Sequence, residues 1–92
     1  MKSIMTDDET SCFICGSTQW IEIHHIFNGA NRKNSTKYGL VVPLCKYCHN
    51  VAPNGVHQNA ENDLKLKQMG QRAFQRVYPD KDFLKIFGKN YL

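Results

Sequence analysis

The chain has 92 residues and a formal net charge of +4, from twelve Lys and Arg against eight Asp and Glu. This length predicts a single domain over residues 1–92 with a thin hydrophobic core, and it excludes a large multi-domain enzyme. The sequence lacks both the roughly 20 consecutive apolar residues of a membrane-spanning helix and the apolar run of a secretory signal. We therefore expect a cytoplasmic protein that does not bind membranes.

The first half of the chain predicts a tail, two strands and an intervening loop. Residues 1–11 are expected to form a loose tail. Residues 19–24 alternate in hydropathy and predict a strand. One face of that strand is expected to carry Trp20, Glu22 and His24. Residues 28–37, rich in Asn, Ser and Lys, predict a loop, and the β-branched run at residues 40–42 predicts a second strand.

A short helix is predicted immediately after the second strand. Pro43 fits the first turn of a helix, and that helix would carry Cys45, Cys48 and His49. The Pro-Asn-Gly sequence at residues 53–55 predicts a turn that ends it.

Two further helices are predicted in the C-terminal part of the chain. Residues 59–78 predict a long helix that Pro79 ends. Its core-facing stripe is expected to comprise Leu66, Met69, Ala73, Phe74 and Val77. Asp80 or Asp82 is expected to cap a final short helix. The inward residues of that helix are predicted to be Phe83, Leu84 and Phe87, with Gly88 as its C-terminal stop.

The four cysteines form two C-x-x-C pairs, Cys12 with Cys15 and Cys45 with Cys48. Two residues between thiolates allow one tight turn to direct both sulfurs at one ion, and two such turns complete the tetrahedral site that zinc prefers. Two disulfides are the alternative, which a reducing cytosol disfavours. A thioredoxin-like redox pair would need a βαβ context that the sequence lacks. We therefore predict one structural Zn²⁺.

The charges are unevenly distributed along the chain. Residues 23–60 contain no Asp or Glu, and they contain all four histidines. The cations of this segment are Arg32, Lys33, Lys37 and Lys46. A cationic segment of this kind is either an ordinary solvated surface or the binding face for a polyanion. Because it coincides with the histidines, we favour nucleic acid as the partner.

Three of the histidines are expected to meet in the folded chain. His24 and His25 end the first predicted strand, and His49 directly follows Cys48. A hairpin packed on the helix that carries His49 would bring the three together. Two could hold a divalent cation while the third accepts a proton near neutral pH. Such a set fits phosphodiester hydrolysis, whereas a packing role or a place in the zinc shell is the alternative.

These motifs together resemble the HNH endonucleases and their ββα-metal motif. The matching residues are Cys12-x₂-Cys15, His24-His25-Ile26 and Pro43-Leu44-Cys45-x₂-Cys48-His49. The resemblance covers residues 12–57 and is closest to zinc-stapled members similar to phage endonuclease VII. Residues 74–91 resemble small phage-encoded HNH proteins, whose location would be the host cytoplasm.

The resemblance implies an α+β fold and a metal-dependent DNA endonuclease. The fold would be a small zinc-stapled ββα-metal (HNH, treble-clef-like) domain, with its core at residues 12–58 and C-terminal accessory helices at residues 59–92. His24 and His49 would bind the catalytic divalent metal, Mg²⁺ or Mn²⁺, and His25 would be the general base. His57 is either a third ligand, a phosphate contact or a cap before the long helix.

The sequence departs from the family at one position that supports the general base. Many members carry an Asn a few residues before the second cysteine pair, where it braces the loop that orients the base. Leu40 stands near that place in this chain. The bracing is then left to Asn28, Asn31 or Asn34, or to a main-chain carbonyl.

The expected nucleic-acid contacts come from the cationic segment. Arg32, Lys33 and Lys37 are predicted to contact the DNA backbone, which contributes affinity rather than sequence choice. Trp20 and Tyr47 are interpreted as packing around the zinc rather than stacking on bases. The small size of the chain leaves a protein partner or a homodimer open. The alternative function is a non-catalytic zinc-stapled module that binds DNA or a protein.

Overall fold

The computed structural model describes residues 2–51 and 55–92. Two strands, β1 (Ile21–His25) and β2 (Val41–Cys45), form one antiparallel hairpin. The helical elements are a 3₁₀ turn (Gly29–Asn31), α1 (Arg32–Tyr38), a π-helical turn (Tyr47–Val51), α2 (Ala60–Val77) and α3 (Phe83–Phe87). The predicted α+β class is confirmed. The turn predicted at residues 53–55 includes Pro53 and Asn54, which lie outside the described residues.

The hairpin contains Pro43, which was predicted to start a helix. Its register pairs Ile21 with Cys45, and β2 is buried along its whole length. Pro43 lies within β2, so that prediction is wrong. A two-stranded sheet consists of edge strands, where the missing N–H of proline is tolerated. The Pro43 carbonyl accepts the Phe13 N–H at 2.8 Å, which joins the first cysteine turn to β2.

The segment between the strands is helical, so the predicted loop at residues 28–37 is wrong. The 3₁₀ turn leads into α1, which ends at Gly39 with a φ of +71°. Asn31 and Asn34 donate hydrogen bonds to the carbonyls of Phe87 and Ile86 in α3. These tertiary contacts hold the segment as helix despite its loop-forming composition, since context routinely overrides intrinsic propensity.

Residues 3–5 pack against the hairpin and the core, so this part of the chain is not the loose tail predicted for residues 1–11, of which Met1 lies outside the described residues. Ser3 is buried, and its hydroxyl donates to the Val41 carbonyl at 2.5 Å. The Ile4 N–H donates to the Gly39 carbonyl at 2.9 Å. A Cβ at Gly39 would lie 2.5 Å from the Lys2 carbonyl oxygen, so this close approach needs glycine.

The long helix follows its predicted bounds, but its buried face is rotated from the predicted stripe. The Asn59 side chain accepts the Asn62 N–H and caps α2. The buried residues of α2 are Leu66, Gly70, Gln71, Ala73 and Phe74. Met69 and Val77 are largely exposed, in contrast to the prediction. The face is centred on Gly70, where a Cβ would lie 3.0 Å from the Ile26 side chain.

The final helix completes an aromatic core. Asp82 caps α3 by accepting two backbone N–H groups, and Gly88 ends it with a φ of +82°. Phe83 and Phe87 are buried, whereas Leu84 is 51% exposed, so its predicted inward position is wrong. The rings in mutual contact include Phe27, Phe74, Phe83 and Phe87. No helix in residues 2–51 and 55–92 has the length and apolar character needed to cross a bilayer.

Candidate metal centres

The four cysteines converge on one point, where they could hold a metal ion such as zinc. Their sulfur atoms all lie within 4.8 Å of one another. Cys45 ends β2 and Cys48 lies in the π-helical turn. Cys12 and Cys15 lie in the turn that precedes β1 in the chain. The sulfurs of Cys15 and Cys45 are 3.6 Å apart, and all four thiols are free.

The electrostatic environment of the cysteines favours a cation. Burial raises the pKa of the Cys12 thiol, but the nearby backbone N–H groups of Cys15, Cys45 and Ile14 outweigh it and lower that pKa to about 6. Burial and the neighbouring thiols raise the pKa of Cys48 above its ordinary value. Four thiolates so close together would repel one another, so the set is stable in its anionic form only around a cation.

Three histidines form a second cluster, to which the π-helical turn also contributes one residue. Ring nitrogens of His24, His49 and His57 all lie within 4.8 Å of one another. His24 comes from β1, His49 from the π-helical turn and His57 from the segment before α2. The Nε2 atoms of His49 and His57 are 3.0 Å apart. A backbone hydrogen bond also joins the two segments, since the His57 N–H donates to the His49 carbonyl at 3.1 Å.

His24 provides the observation that tests whether a metal fits. Its side chain is buried, and its Nε2 is the buried side-chain nitrogen or oxygen that lacks a hydrogen-bond partner within the described ranges. Burial, together with repulsion from His49 and His57, lowers the pKa of His24 to about 3. The imidazole is therefore neutral at pH 7 and keeps a lone pair. Three imidazoles whose ring nitrogens lie this close together, one of them neutral and unpartnered among the described residues, fit a divalent transition ion.

A carboxylate that the sequence analysis did not single out orients one of these rings. Glu22 Oε1 lies 2.7 Å from His49 Nδ1. Because a carboxylate accepts hydrogen bonds, Nδ1 carries a proton, and in the neutral ring it is then Nε2 that keeps the lone pair. Metal-binding histidines commonly hold their second nitrogen in this way. The alternation of the strand, which places Glu22 on the same face as His24, was the available signal.

The fourth histidine lies beside the cluster but not in it. His25 and the three clustered histidines line one cavity of about 140 Å³. Its other lining residues are Ile23, Asn28 and Arg32. Burial and the nearby Arg32 charge lower the pKa of His25. The cavity therefore brings together His24 and His49, the predicted metal ligands, with His25, the predicted base. His57 lies in the same cluster as His24 and His49.

The predicted nucleic-acid residues all lie on α1. Arg32 begins the helix and lines the cavity. Lys33 and Lys37 are exposed on the same helix, and the Lys37 Nζ lies 5.3 Å from the centre of the Tyr38 ring. The structure thus places one of the three cations at the histidine cavity and the other two on the adjacent surface.

The loop that follows His25 is braced by a serine. The Ser35 hydroxyl donates to the Phe27 carbonyl at 2.6 Å and accepts the Phe27 N–H at 3.0 Å. Asn31 and Asn34 instead bind the carbonyls of α3, and Asn28 lines the cavity. Ser35 was missed because one hydroxyl in a polar run carries no signal of burial.

A scan against protein-family models and searches of curated proteins and of solved structures each found no match for the chain. The two clusters and the residues that surround them are therefore the features from which a function can be inferred.

Proposed function

We propose that the protein is a metal-dependent endonuclease of the HNH type that hydrolyses DNA phosphodiester bonds. The observation that carries the proposal is the cavity in which three clustered imidazoles and a fourth, separate histidine meet beside an arginine. The order of elements also supports it, because a hairpin leads through a cysteine pair into a helical turn that carries the last ligand. The resemblance to ββα-metal, treble-clef-like domains implies an order of this kind.

The second metal would be held by His24, His49 and His57. The resemblance implies Mg²⁺ or Mn²⁺, and the donor set favours Mn²⁺ of the two, because Mg²⁺ prefers oxygen ligands while imidazole suits transition ions. Such an ion, when bound, supplies Lewis-acid stabilisation of the charge that develops on the phosphate. Glu22 keeps the His49 ring in the tautomer that can bind it.

His25 would act as the general base. It lines the cavity without joining the ligand cluster, so its imidazole is available to a water molecule. His25 takes a proton from that water as the water oxygen bonds to phosphorus. The bond from phosphorus to the 3′ oxygen breaks, and the 3′ oxygen takes a proton from solvent. The products carry 5′-phosphate and 3′-hydroxyl ends.

The cations would position the DNA backbone. Arg32 lies at the cavity, where its guanidinium can pair with a phosphate oxygen. Lys33 and Lys37, exposed along α1, extend this positive surface. The four-cysteine site would hold structural zinc, which fixes the π-helical turn and so the position of His49.

The experiment that tests this function is nicking of supercoiled plasmid by the zinc-loaded protein. It would be run with added Mg²⁺, Mn²⁺ or neither. We expect nicking to require an added divalent ion, with Mn²⁺ more effective than Mg²⁺. We expect His25→Ala to lower the rate by about 10²–10⁴-fold, which is the usual contribution of a general base.

Gln75→Ala is the matched control for this experiment, because Gln75 is exposed on α2 away from the lining residues of the cavity. It should nick at the wild-type rate. Equal rates for wild type and His25→Ala would reject His25 as the base. Retained DNA binding without nicking under every metal condition would instead support the non-catalytic binding module.

A further inference from the structure

Two large aromatic side chains stand in solvent beside the cysteine cluster. Trp20 is 63% exposed and Tyr47 is 49% exposed. Their ring centres are 6.1 Å apart at an interplanar angle of 71°. Both were predicted to pack around the zinc. Packing of that kind buries an aromatic ring, whereas about half or more of each of these remains uncovered.

The backbone at Trp20 is held in an unfavourable conformation. Its φ of +53° is the one positive φ of a non-glycine residue in the part of the chain that the structure describes. The Trp20 carbonyl accepts the Lys46 N–H at 2.9 Å, which ties this residue to the start of the π-helical turn. Backbone strain of this kind tends to cluster at functional sites, which directs attention to the exposed indole.

The aromatic pair is in line with the histidine cavity. Alternate residues of the first strand region, Trp20, Glu22 and His24, each contact a residue of the π-helical turn or the segment after it. Trp20 meets Tyr47, Glu22 meets His49, and His24 meets His49 and His57. At about 3.3 Å per residue, the Cα atoms of Trp20 and His24 are at most ~13 Å apart. A nucleic acid held at the cavity can therefore reach the rings.

We propose that Trp20 and Tyr47 form a stacking site for an unpaired base of the DNA substrate. The inference deepens the proposed nuclease function, on which it rests, by naming single-stranded or locally unpaired DNA as the substrate class. Bases within a duplex are already stacked on their neighbours, so an aromatic ring can take a base only where the strand is open. Lys46, which is exposed and directly precedes Tyr47, supplies a cation for the neighbouring phosphate.

The charge of the surroundings decides between nucleic acid and an apolar protein partner. Residues 23–60, which include Tyr47 and Lys46, contain no Asp or Glu. Glu22 is an acidic residue on the same strand, and its carboxylate is paired with His49. Exposed aromatic rings beside an exposed lysine are a combination that single-stranded nucleic acids bind.

Trp20 provides its own probe, because it is the chain's one tryptophan. The zinc-loaded His25→Ala protein would be titrated with an oligothymidine of about 12 nucleotides, a length within the usual range of such sites. A blunt duplex of the same length would be titrated in parallel. We expect the single strand to quench Trp20 fluorescence and the duplex to leave it unchanged.

Variants of Tyr47 test stacking without removing the probe. Tyr47→Leu, which keeps an apolar side chain but removes the ring, should weaken single-strand binding about 10-fold, while Tyr47→Phe should bind as wild type. Duplex binding should change less than about 2-fold in both. Unchanged zinc stoichiometry and melting temperature would show that each variant folds. Leu84→Ala, at an exposed position on α3, is the control for a general loss of apolar surface.

The outcomes separate this inference from the nuclease itself. If the wild-type protein nicks DNA but oligothymidine leaves the fluorescence unchanged, or Tyr47→Leu binds it normally, the stacking site is overturned and the nuclease stands. If the protein neither binds nor nicks DNA under any metal condition, the proposed function fails and the stacking site with it.

Discussion

Single side chains decide whether the histidine cavity can hold a metal. His24 contributes a buried, neutral imidazole whose Nε2 has no hydrogen-bond partner among residues 2–51 and 55–92. His49 is oriented by the Glu22 carboxylate at 2.7 Å. Because this contact occupies Nδ1, while Nε2 is the nitrogen that faces His57, Glu22 should act on metal affinity through His49 without touching the metal.

Glu22→Gln should weaken binding of the second divalent ion by about 10–100-fold, because the neutral amide no longer holds the His49 proton as strongly. The zinc at the four cysteines should bind as in the wild type. Isothermal titration of Mn²⁺ into zinc-loaded protein measures the first quantity, and metal analysis of the purified protein measures the second.

Glu61→Gln is the matched control, since Glu61 is a surface residue of α2 whose ion-pair partner is Lys65 rather than a histidine. It should bind Mn²⁺ as tightly as the wild type. If Glu22→Gln binds Mn²⁺ normally, the carboxylate is only a surface partner of His49. If the wild-type protein itself binds no second ion, the metal site is rejected altogether.

At the scale of elements, the short helix α1 holds the loop that follows His25. Its Ser35 hydroxyl satisfies both backbone groups of Phe27. The same helix is tied to α3 through Asn31 and Asn34. The cavity therefore depends on contacts between elements that are far apart in the sequence.

Ser35→Ala should destabilise the protein by about 1–3 kcal/mol, because it leaves the buried N–H and C=O of Phe27 unpaired. Urea denaturation followed by circular dichroism measures the change in the free energy of unfolding. Thr36→Ala, at the exposed neighbouring position, should change it by less than about 0.5 kcal/mol. Equal stability of the two variants would show that Ser35 does not brace the loop.

At the scale of the whole molecule, the four-cysteine site joins segments that a thin core alone would not hold. It connects the turn that carries Cys12 and Cys15 to the end of β2 and the π-helical turn. A 92-residue chain buries only somewhat more than about 60% of its unfolded surface. Metal binding at such a site is largely folding free energy.

If zinc binds at the four cysteines, its removal should therefore unfold the protein. Cys48→Ser should bind less than one zinc per chain and lose its cooperative thermal transition, as measured by metal analysis and circular dichroism. His57→Ala removes a ligand from the other cluster only, so it should keep both the zinc and the transition. A Cys48→Ser protein that melts like the wild type would show that the aromatic core suffices.

Local signals made part of the architecture predictable. The spacing of the cysteine pairs identified the residues that converge, since two residues between thiols force both into one turn. Of Asp80 and Asp82, the two caps predicted for the final helix, Asp82 is the one that accepts its free N–H groups. The bounds of α2 followed from the helical spacing of its apolar residues and from Pro79, which cannot continue a helix.

Other features were wrongly predicted because they depend on contacts between distant residues. Residues 28–37 are polar and were predicted as a loop, yet contacts with Phe27 and α3 make much of this segment helical. Pro43 was predicted to start a helix, yet it lies in an edge strand that requires no N–H at that position. The stripe of α2 was displaced because Gly70 allows a closer approach than its apolar neighbours.

The sequence by itself determined the inventory of chemistry in this protein: four thiols in two turns, four imidazoles and a cationic segment without acids. Only the tertiary structure decided that His57 joins His24 and His49, that His25 stands beside them, and that Glu22 orients His49. It also decided that Trp20 and Tyr47 face solvent. The reason is physical: residue types and local spacing set which groups are available, whereas a cavity is formed by side chains whose proximity depends on packing between separate elements.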